Sequence, residues 1–301
     1  MTSPLLTAIV PITNMHGRMH NLDNWIQNLK SSPIEVVIVH DLVDLDTSLE
    51  IKELITRYPR ADIKLIEGHY GSPGMARNAG FKIAQSNWIC FWDSDDIPEI
   101  ELVAQFILTA DLVNIDFAIG GFKKKFDLDS SKEEVHLVGD QISNLLAYNP
   151  GIWRFLFKKT SIDDLKFTEY KMAEDQIFLA EYGMFSREHA VINHSIYNYY
   201  IGDIGHATNQ KFALADLYPA SIYTIKIANK FKDMNFNFII LLFIKQSFTS
   251  LKKCTFTIKL KSLLLIIRVI FKSGFYTKYR ILLTICAVLT KQAFNPFSLK
   301  V

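Results

Sequence analysis

Along the first 95 residues, short runs of apolar and β-branched side chains alternate with polar stretches whose apolar positions recur every three or four residues. Residues 7–12, 35–39, 63–66 and 88–92 read as strands. Between them, residues 21–30 bring Leu22, Trp25, Ile26 and Leu29 to one helical face, and residues 49–58 do the same with Leu49, Ile51, Leu54 and Ile55. Residues 73–86 read as a third helix, with Pro73 in its first turn. Strand and helix alternating in this way predict βαβ units on a parallel sheet. A fifth strand is expected over residues 115–122 and a sixth over 153–158, with the polar stretch 123–140 forming a hairpin or a surface excursion. There is no internal repeat.

The chain has 301 residues, 49% of them hydrophobic and 21% charged, enough for one large globular domain or for a domain of about 200 residues with an appendage. Disorder is excluded. The formal net charge of +2 argues against a nucleic-acid binder, because phosphate recognition needs a concentrated cationic surface. That average conceals a split: from Tyr223 onward there are 14 Lys and Arg against the single acid Asp233, which leaves residues 1–222 at −11. The three cysteines, Cys90, Cys254 and Cys286, have neither disulfide-framework nor zinc spacing, which fits a reducing cytoplasm. The apolar run 5–12 contains Pro11 and lacks a basic segment before it, so no export signal is expected. In the tail, the uncharged runs 234–244 and 281–290 are about half of the ~20 residues a spanning helix needs.

In an open α/β sheet, ligands bind beyond the carboxyl ends of the strands. Those ends carry Thr13-Asn14, His40-Asp41, residues 68–74, and Asp93-Ser94-Asp95-Asp96, four loops converging on one acidic mouth. Asp-x-Asp triplets also occur at Asp44-Leu45-Asp46 and Asp127-Leu128-Asp129, but only Asp93-Ser94-Asp95 follows directly on a buried strand. Two carboxylates on such a turn suit a hard divalent cation and leave positions for phosphate. Residues 71–80 (Gly-Ser-Pro-Gly-Met-Ala-Arg-Asn-Ala-Gly) set glycines and a helix start beside it, with Arg77 as a cationic donor.

Taken in order, these segments resemble the family 2 glycosyltransferases of the GT-A fold. Val10-Pro11-Ile12-Thr13-Asn14, His40-Asp41, the Gly-x-x-x-Ala-Arg-Asn-x-Gly run ending at Gly80, and Asp93-Ser94-Asp95-Asp96 carry the likeness, with Glu174-Asp175 following at the family's distance. The resemblance covers about residues 5–210 and implies an α/β GT-A fold, Rossmann-like with a mostly parallel central sheet and flanking helices, over residues 1–218. It also implies a nucleotide-sugar donor, UDP-linked, and a divalent metal, Mn²⁺ or Mg²⁺. Asp95 would contact the metal and Asp93 the ribose or metal-bound water. Pro11, Thr13, Asn14, Asp41, Gly74, Arg77, Asn78 and Ser94 would line the donor. Asp175, beside Glu174, would take the proton from an acceptor hydroxyl opposite the leaving group, giving a single displacement with inversion. His206, after the aromatic Tyr199-Tyr200, is a candidate third metal ligand. The chain departs from the pattern at His40, where a second Asp is usual, and at Leu42-Val43, where Gly-Ser is usual.

Residues 219–301 form a distinct basic, helical region. On a helical wheel Lys261, Arg268 and Lys272 fall within roughly 40° of one another at 100° per residue, away from most of the leucines and isoleucines. Such a helix can lie on an anionic membrane interface, pack as a helical subdomain on the acidic body, or form a surface for a protein partner; a peripheral position at the inner face of the membrane is expected. The function so implied is transfer of one sugar to a glycan or lipid-linked acceptor in surface polysaccharide synthesis. Two alternatives stand beside it: a sugar-1-phosphate nucleotidyltransferase, which calls for a Gly-rich cationic loop after the first strand, and a non-catalytic nucleotide- or glycan-binding module.

Overall fold

A computed structural model describes residues 4–30, 32–110, 114–126, 129–138, 150–201, 211–231, 234–272, 278, 281–282 and 285. The chain gathers into two compact units, one of residues 1–140, 151–169 and 187–203, the other of residues 141–150, 170–186 and 204–301.

The first unit is built on a nine-stranded sheet: β1 (Leu6–Ile12), β2 (Ile34–Asp41), β3 (Asp62–Gly68), β4 (Trp88–Phe91), β5 (Ile97–Pro98), β6 (Phe117–Phe126), β7 (Asp129–His136), β8 (Phe155–Lys158) and β9 (His189–Ile201). Their order is β3-β2-β1-β4-β8-β6-β9-β5, with β7 paired to β6. The half formed by β3, β2, β1 and β4 is parallel, as the alternating pattern predicts. Its central strands are apolar almost throughout because helices must cover both faces of such a sheet. The other half is mixed: β8 runs antiparallel to both β4 and β6, while β6 and β9 are parallel. The stretch expected as a hairpin or excursion is a hairpin, β6 with β7, bridged by Lys124 and Glu134 at 3.1 Å.

The helices of this unit are α1 (His20–Ile26), α2 (Leu45–Arg57), α3 (Pro73–Ile83), α4 (Ile100–Thr109) and the single turn α5 (Lys159–Ile162). Asp44 caps α2 by accepting from the Thr47 N–H at 2.8 Å, and Ser72 caps α3 through Met75 N–H at 3.3 Å. Pro73 at the first position of α3 needs no amide partner there. Gly80 lets α3 lie close against the sheet. A Cβ at that position would stand 2.5 Å from Ile9 Cγ2 and 3.0 Å from Val39 Cγ2, both fully buried side chains. Gly80 therefore closes the helix onto β1 and β2. Gly80→Ala is expected to cost about 1–3 kcal/mol through overpacking, read as a lower denaturant midpoint.

The second unit contains α6 (Glu174–Tyr182), α7 (Lys211–Leu214), α8 (Leu217–Ala228), α9 (Met234–Lys253) and α10 (Phe256–Lys272). Every side chain from Phe238 through Ile244 on α9 is buried, so the long uncharged run in the tail is a core helix. No helix among the described residues is long and apolar enough to cross a membrane. Ser250 on α9 and Ser262 on α10 share a buried hydrogen bond of 2.8 Å, fixing the two helices in register. Gly183 ends α6 in the left-handed conformation, φ 62°, a position suited to glycine.

Candidate active site

The acidic turn sits where the parallel half of the sheet ends. After β4, Trp92 is buried and packs edge-on against Trp25 of α1 with ring centroids 5.5 Å apart, which anchors the chain just before it turns. Asp93 and Asp95 are partly exposed, whereas Asp96 is buried and Ser94 nearly so. The turn is held from a strand about a hundred residues away. The Asp93 N–H donates to Tyr197 Oη at 3.0 Å, and the Tyr200 N–H donates to Asp96 Oδ1 at 2.8 Å. Asn198 donates to the Ile97 carbonyl at 3.0 Å and to Glu99 Oε1 at 2.8 Å, and Asn21 of α1 donates to the Asp95 carbonyl. Tyr197 is itself fixed by stacking on Trp153, centroids 4.6 Å apart and planes 12° from parallel.

Burial, followed by the charges of Asp95 and Asp93, pushes the Asp96 carboxyl well above the usual carboxylate range, against the opposing pull of the Tyr200 N–H. Burial and then Asp96 likewise push the Tyr197 phenol up, so it remains a neutral hydroxyl. Tyr197→Phe leaves the Asp93 N–H without its acceptor. The variant is expected to lose about 1–3 kcal/mol of stability and, in the folded protein, to bind nucleotide more weakly; an unchanged thermal midpoint would show that the phenol is not holding the turn.

Arg77 reaches the same turn from α3. Its guanidinium is buried, donates through Nη2 to Asp93 Oδ1 at 2.8 Å and lies over the Phe167 ring, 5.4 Å from the centroid. One oxygen of Asp93 is thereby oriented by a cation at the mouth of the sheet. Asn78, one position further along the helix, is bonded to the backbone. Its carboxamide accepts from the Phe167 N–H and donates to the Phe167 carbonyl, both at 2.9 Å, so it braces the segment that carries Phe167.

Asp41, at the end of β2, is also committed to the backbone. It accepts from the Tyr70 N–H at 2.5 Å and from the Gly71 N–H at 3.0 Å, which shapes the loop leading to Gly74 and α3. Leu42 follows with φ 54°, the left-handed conformation that glycine, usual in the resembling pattern, adopts freely. His40 is fully buried, with ring nitrogens 3.5 Å from Asp44 and 3.7 Å from Glu67. Pro11 is half-buried in β1, opposite Val39 of β2. Thr13 and Asn14 are exposed beyond the strand, Asn14 with φ 47°.

In the second unit, Glu174 and Asp175 open α6 after Ala173, whose φ of 68° turns the chain sharply into the helix. Glu174 is buried, and Asp175 accepts from the Gln176 N–H at 2.7 Å. Gln176 accepts from Gln246 of α9 at 3.1 Å, and Gln246 accepts from Thr224 of α8 at 3.0 Å, so three helices fix the turn that bears the carboxylates. His206 lies outside the described residues.

The donor set suits a hard cation in part. Asp93 and Asp95 offer partly exposed carboxylate oxygens on one tight turn, and their mutual charge raises the proton affinity of Asp96, a repulsion a divalent cation relieves. Among the described residues no three His, Cys, Asp or Glu side chains gather as a metal centre. Sequence reasoning missed Tyr197, Phe167 and Asn21. Each is a supporting side chain drawn from a distant element, and no local motif marks it.

An acidic turn at the end of a parallel half-sheet, an arginine-bearing helix beside it and a mixed extension of the sheet define the GT-A class of α/β proteins. The sequence signature described as glycosyl transferase family 2 matches residues 7–176, more than half of the chain, and the chain belongs to that family. Among curated relatives, the poly(ribitol-phosphate) beta-N-acetylglucosaminyltransferase TarP of Staphylococcus aureus is 26% identical over 207 residues, 65% of this chain and 62% of TarP. The chain thus spans less than two thirds of that relative. Among solved structures, TarS 1–349 of S. aureus superposes with a TM-score of 0.64 at 19% identity, over 88% of this chain and 80% of that one. TarS 1–349 has also been solved in complex with UDP-GlcNAc; that structure matches with a TM-score of 0.57 at 15% identity, over 95% of this chain and 92% of that one. The mannosyltransferase PcManGT of Pyrobaculum calidifontis, solved with GDP-Man and Mn²⁺, matches with a TM-score of 0.60 at 15% identity, over 99% of this chain and 83% of that one. These structural likenesses show the fold.

Proposed function

We propose that this protein is a metal-dependent, inverting glycosyltransferase that moves one sugar from a UDP-sugar to a glycan or lipid-linked acceptor in surface polysaccharide synthesis. The observation that carries the reading is the pairing of Arg77 with Asp93 on a turn whose other exposed carboxylate is Asp95. A nucleotide diphosphate needs both kinds of group: carboxylates to hold a cation, and a cation of the protein's own to meet the oxygens directly. TarP and TarS support a UDP-linked donor and a glycopolymer acceptor, and PcManGT supports a metal, each through what its own name or complex states.

In this reading Asp95, with Asp93, holds the divalent cation, which when bound supplies electrophilic stabilisation of the leaving diphosphate. Arg77 donates to the oxygen on which negative charge develops. Asp41 acts through the loop it shapes, presenting Gly71, Gly74 and the start of α3 to the nucleotide, while Pro11, Thr13, Asn14 and Ser94 line it. Asp175 accepts the proton of the acceptor hydroxyl as that oxygen attacks the anomeric carbon from the face opposite the leaving group. Residues 1–218 would carry this chemistry, and residues 219–301 would bring the enzyme to an anionic membrane surface where a lipid-linked acceptor is presented.

The loop after β1 counts against a nucleotidyltransferase. The Met15 and His16 N–H groups both donate to Thr47 Oγ1 at 3.1 Å, and the Gly17 N–H donates to Glu50 at 3.1 Å, so these amides are committed to α2 and not to a triphosphate. A panel of UDP-, GDP- and dTDP-sugars, assayed for nucleotide release with Mn²⁺, with Mg²⁺ and with chelator, tests the proposal. Metal-dependent release of UDP is expected. Release of pyrophosphate from a nucleoside triphosphate plus sugar phosphate would favour the nucleotidyltransferase, and no turnover of any donor would favour the binding module.

A further inference from the structure

Helix α10 buries one face and exposes a second apolar one. Ser262 and Ile266 are buried, with Leu265 and Val269 half-buried beside them. On the other side Phe256 is 80% exposed, Phe271 77%, Leu264 56%, Leu260 47%, Leu263 44% and Ile267 40%. At 100° per residue these six fall within a stripe roughly 100° wide, running the length of the helix. Isolated exposed apolar residues are ordinary, but a continuous stripe ending in a phenylalanine at each end is not. Cations flank it: Arg268 and Lys272 are exposed along one border, with Lys261 near them, and Lys259 lies on the other. The helix contains no acid. The sequence pattern sets the basic residues apart from most of the leucines and isoleucines; the structure puts about half of the apolar side chains outward, between the cations.

We infer that α10 is an in-plane membrane helix that inserts Phe256, Leu260, Leu263, Leu264, Ile267 and Phe271 into the interface of an anionic bilayer, while Lys259, Lys261, Arg268 and Lys272 meet lipid phosphates at its surface. A bilayer fits this surface better than a protein partner does. The stripe and its cations run parallel to one axis over the whole helix, as a planar interface requires, and the surrounding tail carries 14 Lys and Arg against the single acid Asp233. The inference extends the membrane-surface reading of residues 219–301 and is independent of sugar transfer, since lipid binding is read without donor or acceptor.

The test is co-sedimentation of the full chain with phosphatidylcholine vesicles, with and without about a third phosphatidylglycerol. Binding to the anionic vesicles alone is expected, weakening as salt rises. Leu264→Glu/Ile267→Glu and, separately, Arg268→Gln/Lys272→Gln are expected to reduce the partition coefficient by ~10-fold or more. Both pairs are exposed, so far-UV circular dichroism and UDP binding should be unchanged, which separates loss of lipid binding from loss of fold or of the donor site. Equal binding of the Leu264→Glu/Ile267→Glu protein and the parent would overturn the insertion. So would concentration-dependent dimerisation through the stripe without vesicle binding, which would make a second copy its occupant.

Discussion

Asp175→Asn is expected to bind UDP as the parent does and to transfer sugar ~10²–10⁴-fold more slowly, the range that removal of a general base covers. The substitution keeps the shape of the side chain and its contact with the Gln176 N–H, so the first turn of α6 should persist. A carboxamide cannot accept the acceptor's proton, which confines the loss to the chemical step. Asp175 closes the stretch that matches the family signature, which ends at Gln176. If Asp175 served only to favour the positive end of the helix, the variant would lose a few tenths of a kcal/mol to about 1 kcal/mol of stability and retain its turnover. A kcat that falls with an unchanged UDP affinity supports the base. An unchanged kcat removes Asp175 from the mechanism.

Arg77→Ala should have the second large effect, and it acts on two quantities at once. The guanidinium is buried between Asp93 and the Phe167 ring, so truncation breaks an ion pair and empties the space beneath an aromatic side chain. Removing one partner of a buried pair costs about 3–5 kcal/mol, and the lower end applies here because the Asp93 side chain is 31% exposed and water can solvate it. UDP affinity should fall ~10–100-fold, corresponding to loss of one or two charge-assisted hydrogen bonds. Arg77→Lys keeps the charge but not the planar fork that faces Asp93 and covers Phe167, and it is expected to recover only part of either loss. If folded Arg77→Ala protein bound UDP as well as the parent, Arg77 would be a structural brace and the donor would be held elsewhere.

The parallel half of the sheet was legible because each of its strands is a compact β-branched run bounded by polar helix, and such a run has few alternatives. The second half was less so. β9 mixes polar, aliphatic and aromatic residues without regular alternation and passes through two irregularities in its pairing with β6, so its periodicity is broken where a pattern would be sought. Helix α4 buries Ile100, Val103, Ala104 and Ile107, a regular spacing, yet Leu108 at its end is 61% exposed and blurs the stripe. Of the site, the carboxylates and Arg77 were legible because their chemistry restricts the residue types and their order. What holds them was not. Tyr197 and Tyr200 meet the turn through hydrogen bonds across more than a hundred residues, and Asn78 and Asp41 sit in the motif while bonding to backbone.

The central claim, a metal-assisted nucleotide site on the Asp93–Asp96 turn, is tested most directly by calorimetric titration of UDP with and without Mn²⁺, on the parent protein and on Asp95→Ala. Binding that strengthens with Mn²⁺ in the parent and loses that dependence in Asp95→Ala is the expected result. Absence of UDP binding in the parent under either condition, or metal-dependent binding that survives the substitution, would contradict it.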